Sequence, residues 1–135
     1  KIKEEDLNEL DKAALRSGIY SITGARDEAG RIIGFVHRQV RIFDTSMGIT
    51  NLKRALFYLQ CSQIEDDEIS QKKGIVGIAY NIGPWDVKQA SRLRKFVPLG
   101  RMIYNSLCCR VSAFHHCYNS PVYHMFIHTM LVVQR

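Results

Sequence analysis

Gly74-Ile-Val-Gly-Ile-Ala-Tyr-Asn-Ile-Gly83 is the stretch of this sequence that decides the fold. It is almost entirely apolar, carries no charged residue and has a glycine at each end. A short run of this kind is typical of a central strand that is covered on both faces, as in the parallel sheets of α/β proteins. We therefore predict a buried β-strand over residues 74–83.

A hairpin is predicted upstream of this strand. Residues 19–22 and 31–42 are rich in isoleucine, valine and aromatic side chains, which favour extended structure. Between them, the segment Arg26–Gly30 has turn chemistry, because Asp27 can bond its own backbone and Gly30 accepts a positive φ. The two strands are therefore expected to pair with each other.

Helices are predicted on either side of that hairpin. Residues 2–16 and 50–62 carry apolar side chains at helical spacing among charged ones. The acidic stretch 65–68 is expected to open a further short helix that ends at Lys73-Gly74.

The same alternation continues downstream. Residues 87–104 predict a basic helix interrupted by Pro98, and residues 109–118 predict another strand. Pro121 suits the first position of a very apolar helix over residues 122–133. Strands separated by helices predict an α/β fold with a mostly parallel sheet and flanking helices.

Length and charge set further bounds. The chain has 135 residues, 46% of them hydrophobic, which is enough for one domain with a core. Its 19 basic and 13 acidic residues give a net charge of +6, which favours anionic partners such as a membrane surface. No apolar run approaches the ~20 residues of a membrane-spanning helix. Because the chain starts at Lys1 and stops within an apolar run, we expect it to be a fragment.

Four cysteines, Cys61, Cys108, Cys109 and Cys117, lie in apolar surroundings. A domain of this size does not need disulfides, so we interpret them as buried thiols of a protein from a reducing, cytoplasmic compartment. No cofactor is expected, since the glycine pattern matches neither a dinucleotide fingerprint nor a P-loop.

Four of the five histidines fall between Arg110 and His128. His124 and His128 share a helix face and could hold a metal, but a zinc site needs two more ligands. His115 and His116 are neighbours on a predicted strand and point to opposite faces. A cysteine nucleophile at Cys117 is a weaker alternative, because adjacency on a strand does not bring a histidine to it. We expect no catalytic residue and no metal.

Nucleic-acid binding is not expected either. The basic helix has only Phe96 among its charges, whereas single-stranded nucleic acid is bound by aromatic side chains interleaved with basic ones.

Taken together, several segments resemble the CRAL-TRIO (Sec14-like) lipid-binding family. Asp27–Ile33 is similar to its "DxxGRPV" motif, with Ile32 where proline is usual. Residues 73–83 resemble its "NGIVVIFDLKG" strand, with Tyr80-Asn81 in place of the usual aspartate. Tyr104–Pro121 resembles "YPERLKAIHIINAP", without the proline and glutamate that follow the tyrosine. The resemblance covers residues 17–133.

This resemblance implies a non-enzymatic protein with a helical segment at residues 1–16 and a lipid-binding domain at 17–135 that is incomplete at its C-terminus. The family binds one lipophilic molecule, such as a phospholipid, phosphoinositide or isoprenoid-like compound, between the sheet and an apolar gate helix, here 121–133. Transient docking on an anionic membrane surface and a cytoplasmic, peripheral location go with that function. The ligand-binding residues implied are Ile33, Phe35, His37, Val76, Ile78, Tyr80, Phe114, His116, Tyr118, Phe126, Ile127 and Met130.

Two other functions stay open. Large side chains, among them Phe35, Tyr80, Phe114 and Tyr118, could fill the pocket and leave a protein-interaction module. A metal-dependent enzyme built on the histidines and cysteines is the third and weakest alternative.

Overall fold

The computed structural model describes residues 2–37, 48–81 and 109–133. These form an α/β arrangement in which helices flank a four-stranded sheet. A 3-10 turn at Glu4–Asp6 precedes the regular elements. In chain order these are α1 (Glu9–Arg16), β1 (Tyr20–Arg26), β2 (Ile32–His37), α2 (Ile49–Ile64), α3 (Glu68–Lys73), β3 (Ile75–Asn81), β4 (Val111–Tyr118) and α4 (Pro121–Val133).

The strands lie in the order β1-β2-β3-β4. β1 pairs antiparallel with β2, whereas β3 is parallel to both β2 and β4. The sheet is therefore mixed, and the expected parallel emphasis is not confirmed. The antiparallel pair arises because a short turn can join only antiparallel strands.

The β1–β2 turn is organised by Asp27. Its Oδ1 accepts hydrogen bonds from the backbone N–H groups of Ala29 (3.1 Å) and Arg31 (2.9 Å), and its Oδ2 accepts one from Arg31 Nε at 2.8 Å. The Arg31 side-chain and backbone bonds lower the pKa of Asp27. Gly30 has a φ of 82°, as the turn requires. The predicted hairpin is confirmed.

The first helix starts later than its apolar pattern predicted. Asn8 Oδ1 accepts from the Asp11 N–H at 2.9 Å, while Asp11 Oδ2 accepts from the Asn8 N–H at 3.1 Å. This reciprocal cap fixes the beginning of α1 at Glu9 rather than near Ile2.

Asp11 also joins α1 to α2. Asn51 Nδ2 donates to its Oδ1 at 2.8 Å, and Arg54 Nε donates to its Oδ2 at 3.0 Å. Burial alone raises the pKa of Asp11, but the bonds from Asn51, the Asn8 backbone and Arg54 outweigh it, so the pKa is lowered. Beside this network a small core packs the two helices and β1 together, through Ala14, Ile19, Leu52 and Ala55.

Helix α2 also packs on the sheet. Ile64 forms a second core cluster with Ile32 of β2, Ile75 of β3 and Cys109. We call the side of the sheet that carries Ile32 and Ile75 the α2 face, and the other side the opposite face. Side chains on the two faces alternate along each strand.

Helix α3 ends where the central strand begins. Its Ser70 is fully buried, and the Ser70 hydroxyl accepts a hydrogen bond from the Ile32 N–H at 3.0 Å. Gly74 follows α3 with a φ of 85° and turns the chain into β3. The short acidic helix and its end at Lys73-Gly74 are thus confirmed.

The remaining boundaries agree with the predictions to within a few residues. The helix predicted at 50–62 extends over Ile49–Ile64, and the last helix begins at Pro121. The predicted strands at 74–83 and 109–118 correspond to β3 and β4. The predicted basic helix at 87–104 and the second half of the 31–42 strand lie outside the described residues.

Candidate functional site

Pairing between strands places the predicted ligand-binding residues of β2 and β3 together. Ile33 is in register with Val76, Phe35 with Ile78, and His37 with Tyr80. Partners in a parallel pair share a face, so these six side chains lie on the opposite face of the sheet. Three of them carry rings, which form a short row. Phe35 and His37 stack at 5.6 Å between centroids, and His37 contacts Tyr80 edge-on at 6.4 Å.

The residues predicted on β4 do not belong to that set. Phe114, His116 and Tyr118 are in register with Gly77, Ala79 and Asn81, so they lie on the α2 face. The β4 neighbours of Ile78 and Tyr80 are instead His115 and Cys117. The predicted ligand-binding residues of β2, β3 and β4 therefore do not share one face of the sheet.

A β-bulge explains this error. Ile75 pairs with Val111, but the next residue, Val76, pairs with Ala113, which leaves Ser112 as an extra residue in β4. Because side chains alternate with a period of two, one extra residue exchanges the faces of everything that follows it.

The histidines of β4 do point to opposite faces, as predicted. His115 is exposed on the opposite face, and His116 lies on the α2 face. His116 packs against the Phe114 ring at 4.9 Å between centroids, and its Nδ1 lies 3.4 Å from the hydroxyl of Tyr123. Tyr123 is fully buried and belongs to α4, so His116 links the sheet to that helix.

The two histidines of α4 lie side by side on its surface. The rings of His124 and His128 are 4.4 Å apart in an edge-to-face arrangement, and the Tyr118 ring lies 5.4 Å from His124. Within residues 2–37, 48–81 and 109–133, no group of three or more histidine, cysteine or acidic side chains could hold a metal ion. Cys61, Cys109 and Cys117 form no disulfide, and Cys108 lies outside the described residues.

Little space separates α2 from the sheet. The cavity there has a volume of about 30 Å³, which is room for only one or two water molecules. Phe114 fills part of this region by lying over Gly77: a Cβ added at Gly77 would be 2.5 Å from the Phe114 ring. The α2 face has no room for a lipid tail in this region.

A larger cleft lies at the carboxyl ends of β3 and β4. It has a volume of about 490 Å³, and the residues described along its wall are Tyr80, Asn81, His116, Cys117, Tyr118 and Asn119. Ligands of open α/β sheets bind outside the carboxyl ends of the strands, so this is the position where a site is expected. Its wall combines aromatic rings with amide, imidazole and thiol groups.

The predicted residues contribute to this cleft unequally. Tyr80, His116 and Tyr118 line it, whereas the other predicted strand residues do not appear on its described wall. On α4, Phe126 is partly buried and packs 6.3 Å from the Tyr123 ring, and Ile127 is buried. Met130 belongs to α4, but its side chain is outside what the structure describes.

Asn81 is the residue that the sequence reasoning missed. It is the last residue of β3, and no part of it is exposed. Its Nδ2 donates to the backbone oxygen of Ala79 at 3.2 Å, but its buried Oδ1 has no hydrogen-bond partner among the residues that the structure describes. A polar residue that ends an apolar strand, at the edge where ligands bind, is the signal that identifies it.

No protein-family model and no curated protein matches this sequence. None of the helices in the described part of the chain has the length and apolarity needed to cross a membrane.

Proposed function

We propose that this chain binds one small lipophilic molecule, with the polar end of the ligand in the cleft at the carboxyl ends of β3 and β4. Binding rather than catalysis is proposed, and the ligand is either carried between membranes or sensed. The observation that carries the proposal is a cleft of ligand size whose wall is part aromatic and part polar. Small-molecule sites have volumes of ~300–1,000 Å³ and a few polar groups among apolar ones.

The side chains beside the cleft support an amphipathic ligand. Tyr80 and Tyr118 line it and are 41% and 39% exposed, so both rings are accessible to a ligand. The Tyr118 ring lies 5.6 Å from Tyr123 and so connects the cleft to α4. On that helix Met125 is 66% exposed. A flexible methionine that is exposed on this helix suits an apolar tail of variable shape.

Charge supports a transient membrane contact. The net charge of +6 favours anionic surfaces, and each basic residue near such a surface contributes about 1 kcal/mol. We therefore propose a peripheral, cytoplasmic protein that takes its ligand from an anionic membrane.

Catalysis receives less support from the arrangement at the cleft. His116 and Cys117 both line it, but they are neighbours on β4 and point to opposite faces of the sheet. A histidine that activates a cysteine must lie within hydrogen-bond reach of the thiol.

The proposal is tested by binding of N-phenyl-1-naphthylamine, an apolar dye whose fluorescence rises in apolar sites, and by native mass spectrometry of the purified chain. We expect saturable binding of one dye molecule and a co-purified lipid. The double variant Tyr80→Ala/Tyr118→Ala should weaken dye binding about tenfold or more, because it removes apolar contact area from the wall.

The matched control is Leu10→Ala. Leu10 is an apolar residue on α1 that is 49% exposed and does not line the cleft, so dye binding should be unchanged. Non-saturable dye binding together with an empty mass spectrum would contradict the proposal.

A second function is favoured by the filled space under α2. If the chain is a protein-interaction module, Phe114 is a core residue, and Phe114→Ala should destabilise the fold by about 3–5 kcal/mol without any effect of the dye. If Phe114 instead belongs to a ligand-binding region, saturating dye should stabilise the wild type more than the variant. Thermal unfolding with and without the dye distinguishes the two functions.

A further inference from the structure

Asn81 has an unusual environment for an asparagine. Its side chain is fully buried on the wall of the cleft, its Nδ2 is bonded to Ala79, and its Oδ1 has no partner within the described part of the chain. Buried polar groups in native proteins are nearly always paired, since an unpaired one is destabilising. An acceptor kept unpaired beside a ligand-sized cleft therefore calls for a functional explanation.

We propose that Asn81 Oδ1 is the acceptor for a hydroxyl group on the ligand, so that the cleft selects a neutral lipophilic alcohol. This inference rests on the proposed function and specifies which polar end the cleft takes. A carbonyl oxygen can only accept, so it needs a donor opposite to it. Ether and phosphate oxygens are acceptors and would face Oδ1 with no proton between the two atoms.

The rest of the described wall favours a neutral donor. Tyr80, His116, Cys117, Tyr118 and Asn119 include no lysine or arginine that could pair with a phosphate. They also include no acidic residue that could pair with an ammonium group. A hydroxyl is a neutral donor and needs no such partner.

The ligand reaches Oδ1 by moving a neighbouring side chain. Tyr118 is the register partner of Asn81 on the same face and is partly exposed. Exposed side chains change rotamer within nanoseconds, and the rotation of Tyr118 gives up its ring contacts with Tyr123 and His124.

Three ligands with one tail test the inference: farnesol, farnesyl methyl ether and farnesyl phosphate, each competing with N-phenyl-1-naphthylamine on the full chain. We expect farnesol to bind about tenfold more tightly than the ether, which is the effect of one hydrogen bond. Farnesyl phosphate should bind more weakly than farnesol. Equal affinities, or tightest binding of the phosphate, would overturn the inference.

Asn81→Leu makes the test specific to this residue. It keeps the approximate size and removes the acceptor, so farnesol should lose about tenfold in affinity while the ether is unchanged. The variant should unfold at the same temperature as the wild type or above it, because an unpaired buried oxygen has been removed. The matched control Gln63→Leu replaces an exposed amide on α2 and should keep the preference for farnesol.

The outcomes separate this inference from the proposed function. If all three ligands displace the dye equally in both proteins, the lipophilic site remains and the role of Asn81 is wrong. If the dye itself does not bind, the proposed function fails. If the dye binds but farnesol does not displace it, the inference is overturned. The three-ligand comparison on the wild type decides the question even if Asn81→Leu does not fold.

Discussion

Gly77 and Phe114 show how one residue sets the position of another. They are register partners on β3 and β4, and the Phe114 ring occupies the space above Gly77 that a side chain would take. A glycine within a strand often marks such a close approach. The apolar run around Gly77 predicted the strand, but only the pairing reveals which ring lies over the glycine.

Gly77→Ala should therefore destabilise the fold by about 1–3 kcal/mol, the usual cost of overpacking. The added Cβ would lie 2.5 Å from the Phe114 ring, so the ring must move. Urea unfolding measures the change. Gly24→Ala is the matched control, because Gly24 is also in a strand and has nothing within 4 Å of an added Cβ. Equal losses in the two variants would disprove the packing explanation.

At the same scale, the grouping of the predicted strand residues on one face failed because a face depends on whether a residue's position is odd or even in the register. Phe114, His116 and Tyr118 were grouped with Phe35 and Tyr80 because each set alternates along its own strand. Alternation fixes faces within one strand, but the relation between strands depends on register, which a bulge shifts by one residue. Tyr80, His116 and Tyr118 still meet at the cleft because the carboxyl ends of β3 and β4 lie side by side.

Elements were easier to predict than sites, because periodicity and turn chemistry are local. The hairpin, α2, α3, β3, β4 and α4 all follow from such patterns. The start of α1 did not, since the cap formed by Asn8 and Asp11 begins the helix at Glu9, later than the apolar pattern alone would. The long-range bonds of Asp11 to Asn51 and Arg54 could not be deduced from spacing.

The junction between α3 and β3 gives a prediction at this scale. Gly74 has a φ of 85°, and a Cβ there would lie 2.6 Å from the backbone oxygen of Arg110. With a ψ of −176°, Gly74 lies in a region that is essentially restricted to glycine, so Gly74→Ala should suffer backbone strain of about 1–3 kcal/mol and also a clash with backbone that cannot easily move. Gly18→Ala is the comparison for a positive φ without a clash, because its φ is 68° and nothing lies within 4 Å of an added Cβ.

We expect Gly74→Ala to lower the free energy of unfolding clearly more than Gly18→Ala. Chemical denaturation of the two variants beside the wild type measures both losses. Similar losses of unfolding free energy in the two variants would mean that the backbone at Arg110 moves away from the added Cβ at little cost.

For the whole molecule, three aspartates hold separate parts of the chain together. Asp11 joins α1 to α2, Asp27 closes the β1–β2 turn, and Asp67 receives a hydrogen bond from Arg26 of β1 at 2.8 Å. Ser70 lowers the pKa of Asp67 most, desolvation opposes it, and Arg26 lowers it further. The pKa values of all three carboxyl groups lie below their ordinary value.

The fold should consequently lose stability in acid. A carboxyl group with a lowered folded pKa contributes stability above its unfolded pKa, about 3.9, and loses it as pH falls through the folded pKa. We expect the urea midpoint to fall steeply below about pH 4. Asp11→Asn should be less stable at pH 7 and depend less on pH in this range than the wild type.

Asp66→Asn is the control for that experiment, because Asp66 is an exposed neighbour of Asp67. Its pH dependence should match that of the wild type. A urea midpoint that stays constant between pH 5 and pH 3 would contradict the assignment of these carboxyl groups.

At this scale the α/β class could be predicted because helical and extended periods alternate along the chain. The mixed sheet departs from the predicted parallel emphasis, since the pairing of β1 and β2 through their tight turn is antiparallel. The cleft could be located only in part, because its wall combines residues from both faces at the strand ends.

The extra residue at Ser112 has a consequence for how such a protein evolves. Losing that codon would leave Val111 opposite Ile75 and Ala113 opposite Val76, so Phe114, His116 and Tyr118 would keep their face. A lineage could thus shorten this strand by one residue without changing the side chains that it presents to α2. Among diverged descendants of this gene, single-residue length differences should therefore collect at this point of β4 rather than between Ala113 and Tyr118.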